Sequence, residues 1–183
     1  MEDETDVRYM DLVAEPPELY HKRPAPGTFM DPLSDFAFKT LFGKEQHKEI
    51  LIAFLNDVFE GRKKIIDLQY INTEVKGETM GNRSIGIDVA CVSDQGEQFI
   101  VEVQRRYQEF FNDRAFFYCG HSISSHAPKG KVDGIDWNYE QKAVYFVSIL
   151  DFCLKDAPPE DYFHKVSLFY EGTDQRFTEK VQL

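Results

Sequence analysis

Asp88 and Glu102 occupy the two arms of a β-rich hairpin, and no other pair of residues in the chain is better placed for chemistry. The arms read I-G-I-D-V-A-C-V-S over 85–93 and E-Q-F-I-V-E-V-Q over 97–104, around Asp94-Gln95-Gly96. A three-residue hairpin loop favours glycine at its last position, where the backbone turns left-handed. In that register Ser93 faces Glu97, Asp88 faces Glu102 and Gly86 faces Gln104. Directly opposed residues project to one side of the sheet, with Cβ atoms ~5 Å apart. Carboxylates that close repel each other unless a cation lies between them. Magnesium suits such a place, because it takes oxygen ligands and is commonly held by one or two carboxylates. A two-residue loop, Gln95-Gly96, is the alternative, and it would set Asp88 against Val103 and turn it away from Glu102. The apolar alternation favours the first register. Ile87, Val89 and Cys91 then share a face with Phe99, Val101 and Val103.

The elements that must position this pair can be read on either side of it. Residues 1–30 form an acidic, proline-containing arm with Pro16, Pro17, Pro24 and Pro26 and no clear periodicity. Order is expected from residue 31, in a single domain over 31–183. Ser34 caps a short helix over 35–42, which Gly43 stops. A second helix is expected over 45–59, with Ile50, Leu51, Phe54, Leu55 and Val58 as its buried face. Residues 65–71 read as a strand leading into a polar connection over 72–83. Beyond the hairpin, 107–126 reads as a helix broken by Pro128-Lys129-Gly130. The apolar run 143–150 reads as a strand buried on both sides. Pro158-Pro159 marks a turn, and 165–170 and 177–183 read as closing strands. This order implies an α/β (α+β) domain, a central mixed β-sheet with helices packed against it.

Composition narrows the partners. The 183 residues carry a net charge of -11. Six of those negative charges arise in the first twenty residues, where seven acids face only Arg8. An acidic total argues against indiscriminate coating of nucleic acid, but not against a site whose acids hold a metal. The three cysteines, Cys91, Cys119 and Cys153, have neither zinc-ribbon nor disulfide-framework spacing, and buried reduced thiols are expected. No apolar run approaches the ~18 residues of a membrane span, and the N-terminus has no apolar leader. A cytoplasmic location without membrane contact is the corresponding expectation. The histidines lack tight ligand spacing, so no metal is assigned to them. Lys44, Lys48, Arg62, Lys63 and Lys64 read as a solvated basic face rather than a DNA track. Trp137, near Tyr139, reads as a packing anchor.

The hairpin has the form D-(x)13-E-x-Q, which resembles the core of the PD-(D/E)xK nuclease superfamily with Gln104 in place of the usual lysine. Further blocks extend the likeness. S-D-F-A-F-K-T-L-F-G over 34–43 resembles the opening of the Rpn/PDDEXK-family transposase-like nucleases. R-A-F-F-Y over 114–118 resembles their central helix. Y-E-Q-K-A-V-Y over 139–145 and S-I-L-D-F over 148–152 resemble their buried strand and the turn after it. The resemblance implies a restriction-endonuclease-like core and a recombination-promoting DNA endonuclease needing Mg2+ or Mn2+, with DNA as its partner. It also implies relatives that continue into a helical C-terminal part, so that this chain would be a short or truncated member. Cutting both strands would favour a homodimer.

Carried over residue by residue, the resemblance makes Asp88 the central metal ligand and Glu102 the second, with the Val103 carbonyl between them. Gln104 keeps a hydrogen-bond donor but loses the lysine charge. Asp35 corresponds to an additional helix acid near the metal, and Lys39, Arg105, Arg106 and Arg114 are candidate phosphate contacts. Plainer readings stand beside these. Acids on a hairpin aid solubility, Asp35 and Lys39 form an i,i+4 ion pair worth ~0.3 kcal/mol, and Arg114 with Tyr118 can be ordinary packing. The rival function is a catalytically degenerate nuclease fold that binds DNA or protein without cutting.

Overall fold

The computed structural model describes residues 27, 29–75, 85–127, 131–132, 135–155, 157–158 and 160–183. The chain divides into units of Met1–Asp31 and Pro32–Leu183, and the architecture below is that of the second. Pro128-Lys129-Gly130, Pro159 and most of the 1–30 arm lie outside the described residues.

Helix α1 (Asp35–Phe42) begins as its sequence dictates. The Ser34 hydroxyl accepts the Ala37 N–H at 3.3 Å, satisfying one of the first-turn donors. Gly43 ends the helix with its own N–H on the Lys39 carbonyl at 3.0 Å. Its φ of -101° is ordinary, so close approach is what requires glycine here. An added Cβ would lie 2.8 Å from the Lys39 oxygen. Helix α2 (Lys48–Val58) is preceded by a 3-10 turn, Glu45–His47. Leu51 and Leu55 are its fully buried positions, while Ile50 is exposed and Ile52 packs instead. The expected stripe is therefore rotated. Full burial of each leucine contributes about 1.5–3 kcal/mol.

The sheet runs β1 (Leu68–Tyr70), β4 (Val89–Ser93), β5 (Gln98–Gln104), β8 (Val144–Leu150), β9 (Val181–Gln182) in spatial order. The pairs β1–β4 and β4–β5 are antiparallel, and β5–β8 and β8–β9 are parallel. A parallel neighbour requires a long crossover, and α3 (Phe111–Ser125) supplies it between β5 and β8. Among the described residues there are also two short pairs, β2 (Glu74–Val75) with β3 (Ile85–Gly86) and β6 (Lys131–Val132) with β7 (Ile135–Asp136). The mixed sheet with helices packed on it is the α/β architecture expected.

Each face of the sheet has its own core. On one, Phe38, Leu51, Leu55 and Phe59 cover Leu68, Val89, Cys91, Phe99, Val101 and Tyr145. Phe99 and Tyr145 stack at 5.1 Å, with Phe59 edge-on to both. On the other, Phe111, Ala115, Tyr118 and Cys119 of α3 cover Ala90, Ile100, Val144, Phe146 and Val181.

Several expectations are corrected in detail. Helix α3 starts at Phe111, not 107, after a turn in which the Phe111 N–H reaches the Gln108 carbonyl. The strand expected over 65–71 is ordered into the sheet only at 68–70, where β4 runs alongside it. The segments 165–170 and 177–183 approach through isolated bridges at Ser167–Gln182 and Phe169–Arg176, and only Val181–Gln182 joins the sheet. Cys91 and Cys119 are buried thiols, but Cys153 is exposed.

Candidate active site

The β4–β5 ladder pairs Val89 with Val101, Ala90 with Ile100, Cys91 with Phe99 and Val92 with Gln98. This is the three-residue register. Ser93 donates to the Glu97 carbonyl at 2.8 Å, and Gly96 takes the left-handed conformation at φ 79°. Hydrogen-bonded pairs alternate along an antiparallel ladder, so after Val89–Val101 the next such pair would be Ile87–Val103. It does not form. Ile87 instead donates to the Thr73 carbonyl at 3.2 Å. The Val103 N–H goes to the Asp88 carboxylate at 3.0 Å. The chain bends at Ile87–Asp88, which sends Ile87 into the α3-side core rather than the face shared by Val89 and Cys91.

That bend builds the acid pair. The Asp88 carboxylate takes a donor the ladder would have given to a backbone carbonyl. In return the Asp88 N–H donates to Glu102 Oε1 at 3.0 Å. Each acid is thus held by the other's segment. Even-numbered residues of β5 turn their backbone groups toward β8, as Gln98 and Gln104 do through Ala143 and Asp151. The Val103 carbonyl therefore faces the β4 side, where Asp88 lies.

Two cations flank the pair. Lys39 of α1 lies 2.7 Å from Asp35 Oδ1 and 3.3 Å from Asp88 Oδ1, joining the helix acid to the hairpin acid. Its ammonium pKa is raised, first by the bond to Asp35 and also by Asp88. Arg114 of α3 donates from Nη2 to Glu102 Oε2 at 3.0 Å. Its Nη1 reaches Gln108 Oε1 at 2.9 Å and Gln104 Oε1 at 3.4 Å, and its Nε reaches the Tyr118 hydroxyl at 3.0 Å. The Tyr118 hydroxyl donates to the Gly86 carbonyl at 3.4 Å. Gln104 Nε2 donates to the Arg106 carbonyl at 3.3 Å.

Glu102 is only 2 % exposed. Burial, and then the neighbouring Asp88 charge, push its carboxyl up to about 7, against the opposing pull of the Asp88 N–H, Arg114 and Lys39. Burial is thus the first reason that the Glu102 carboxyl holds its proton more tightly than an ordinary glutamate, in spite of the two flanking cations.

The structure brings together Asp88, Glu102, Gln104, Arg114 and Lys39, with Asp35 at the edge through Lys39. Arg105 and Arg106 lie just past the end of β5, both exposed, and Arg105 comes within 4.0 Å of Asp151. Strand alternation therefore does not decide their direction. Lys48 and Lys63 of the expected basic face are engaged by Glu45, Asp67 and Glu97. Sequence reasoning missed Gln108, whose only signal was its place one and a half turns before Arg114, outside the helix proper.

The description "PD-(D/E)XK nuclease family transposase" matches the chain over residues 32–183. The chain belongs to this family. The motif named in that description ends in lysine, whereas the hairpin segment Glu102-Val103-Gln104 ends in glutamine. No curated protein and no solved structure matches the chain. Among the described residues no group of three or more His, Cys, Asp or Glu is gathered as a metal cluster, and no helix is long and apolar enough to cross a membrane.

Proposed function

We propose that this member of the family is a divalent-metal-dependent DNA endonuclease that hydrolyses phosphodiester bonds in recombination or transposition. The observation that carries the reading is the reciprocal bonding of Asp88 and Glu102 where the β-ladder stops. A hairpin carrying acids for solubility would leave them in solvent. Here Glu102 is buried beside a second acid, an arrangement that costs stability and is characteristic of functional sites.

The donor set fits Mg2+ or Mn2+. Asp88, Glu102 and the Val103 carbonyl are hard oxygen donors at the point where β4 parts from β5, and magnesium keeps several waters when protein ligands are few. Such an ion supplies an acidified water and a clamp on phosphate oxygens. The chain's own groups do the rest. Glu102 accepts a hydrogen bond from the attacking water and orients it, with the Gln104 amide as a neighbouring polar group. Lys39, half exposed at the rim, binds a phosphate oxygen, and Arg105 and Arg106 add charge for the DNA backbone. Asp35 holds Lys39 in place. Cutting both strands would favour a homodimer, which brings two such sites to one duplex.

The test is nicking of supercoiled plasmid with Mn2+ by the parent protein beside Asp88→Ala. Conversion to nicked and linear forms, lost in the variant, is the expected result. Binding without nicking by the parent would overturn the reading in favour of a degenerate binding fold.

A further inference from the structure

The superfamily motif ends in lysine, and this chain has Gln104 there. Without that charge beside the buried Glu102 and the part-exposed Asp88, the strand leaves the site poorer by one cation. Helix α3 restores it. The Arg114 guanidinium is 3.0 Å from Glu102 Oε2 and 3.4 Å from Gln104 Oε1, touching both motif side chains at once. Lys39, the other cation, contacts Asp35 and Asp88 instead. Arginine suits this post, because its rigid fork of five donors can serve several acceptors while staying charged. Gln108 and the Tyr118 hydroxyl take the remaining edges, so four side chains fix one guanidinium. Its side chain is 30 % exposed and that of Glu102 3 %, which keeps solvent screening of the pair low.

We propose that Arg114 is the positioning residue that supplies, from α3, the positive charge absent from the third motif position. This rests on the nuclease reading above. Gln104 is then the neutral partner that lets a strand position without lysine coexist with the helix cation. A lysine at 104 beside Arg114 would place two like charges against one carboxylate.

Two readouts separate this inference from the reading beneath it. The first is Mn2+ binding by calorimetry, which needs no turnover. Removing a cation next to the acid pair in Arg114→Gln should tighten Mn2+ several-fold, and adding Gln104→Lys to that variant should return affinity toward the parent value. The second is nicking. Arg114→Gln should lose at least ten-fold in kcat with KM for DNA changed less than three-fold, and the double variant should recover most of it. Arg114→Lys, which keeps charge but not the fork, should stay within about ten-fold of the parent, and it carries the test if Arg114→Gln does not fold. Weaker Mn2+ binding in Arg114→Gln overturns the proposal. So does failure of Gln104→Lys to restore affinity and nicking in a double variant that melts like the parent, or a hundred-fold loss in Arg114→Lys. A parent that never nicks overturns the nuclease reading, while the Mn2+ affinities still decide the placement of the charge.

Discussion

The β4–β5 hairpin carries a shielded acid at each end, and the two ends treat it differently. At the turn end Glu97 receives Lys63 Nζ at 2.5 Å and the Tyr145 hydroxyl at 3.4 Å, with Lys63 over the Tyr145 ring at 4.6 Å. One acid meets one cation, and the account of charge closes. At the far end Glu102 and Asp88 bond to each other's backbone segments, and Lys39 and Arg114 neutralise them from two helices on opposite faces of the sheet. Even so, the Glu102 carboxyl is pushed up to about 7. The comparison teaches that an ion pair near a strand is not enough to mark a site. The mark is a pair of acids brought together by an interrupted ladder, one of them buried enough to hold its proton.

The largest effect expected from this contrast is on cleavage. Glu102→Gln keeps the shape and removes the charge, and should reduce plasmid nicking by roughly a hundred-fold or more, in line with the loss of a metal-held, water-orienting carboxylate. Glu97→Gln should leave nicking within three-fold of the parent. Equal losses in both variants would erase the distinction between the two ends.

Stability against pH is the next discriminator. The folded value of Glu102, about 7, lies above the ordinary carboxylate range. Between the two, the folded protein holds a proton that the unfolded chain has released. The group's contribution is therefore full in acid and declines as pH rises through about 7, opposite to a typical salt-bridged acid. In metal-free protein, the stability advantage of Glu102→Gln over the parent should grow between pH 5 and 8 by roughly 1–3 kcal/mol. Parallel thermal melts measure this growth. A parent that gains stability relative to Glu102→Gln over this range would contradict the assignment.

The smallest effect belongs to the turn itself. Gly96 has φ 79°, with the Lys142 side chain 3.5 Å from the position of an added Cβ. Gly96→Ala should cost about 1 kcal/mol in denaturant unfolding and leave nicking intact. A large loss of nicking would mean that the turn end and the acid end are coupled more tightly than the hairpin's geometry implies.

Much of this arrangement was legible in the residues. The glycine at the end of the turn and the apolar alternation set the register, and through it the opposition of Asp88 and Glu102. Ser34 and Gly43 bounded α1 because caps are local chemistry. The bend at Ile87 was hidden, because it depends on Thr73, which takes the Ile87 N–H away from β5. Nor could spacing show that Arg114 seats itself against Glu102 or that Lys39 reaches Asp88. Those contacts are made by packing helices on opposite faces of a sheet, and no sequence periodicity encodes them. Ile50 and Ile52 exchanged places for the same reason, since the rotation of α2 is decided by the aromatic core beneath it. Family likeness located Arg114 on the central helix, and only the folded chain showed which side chains it serves.

The most direct test of the central claim is anomalous scattering from crystals of the protein grown with Mn2+. The account predicts one strong manganese peak within coordinating distance of Asp88, Glu102 and the Val103 carbonyl, absent in Asp88→Ala crystals. Manganese bound elsewhere, with these two carboxylates still held only by Lys39 and Arg114 at saturating metal, would contradict it.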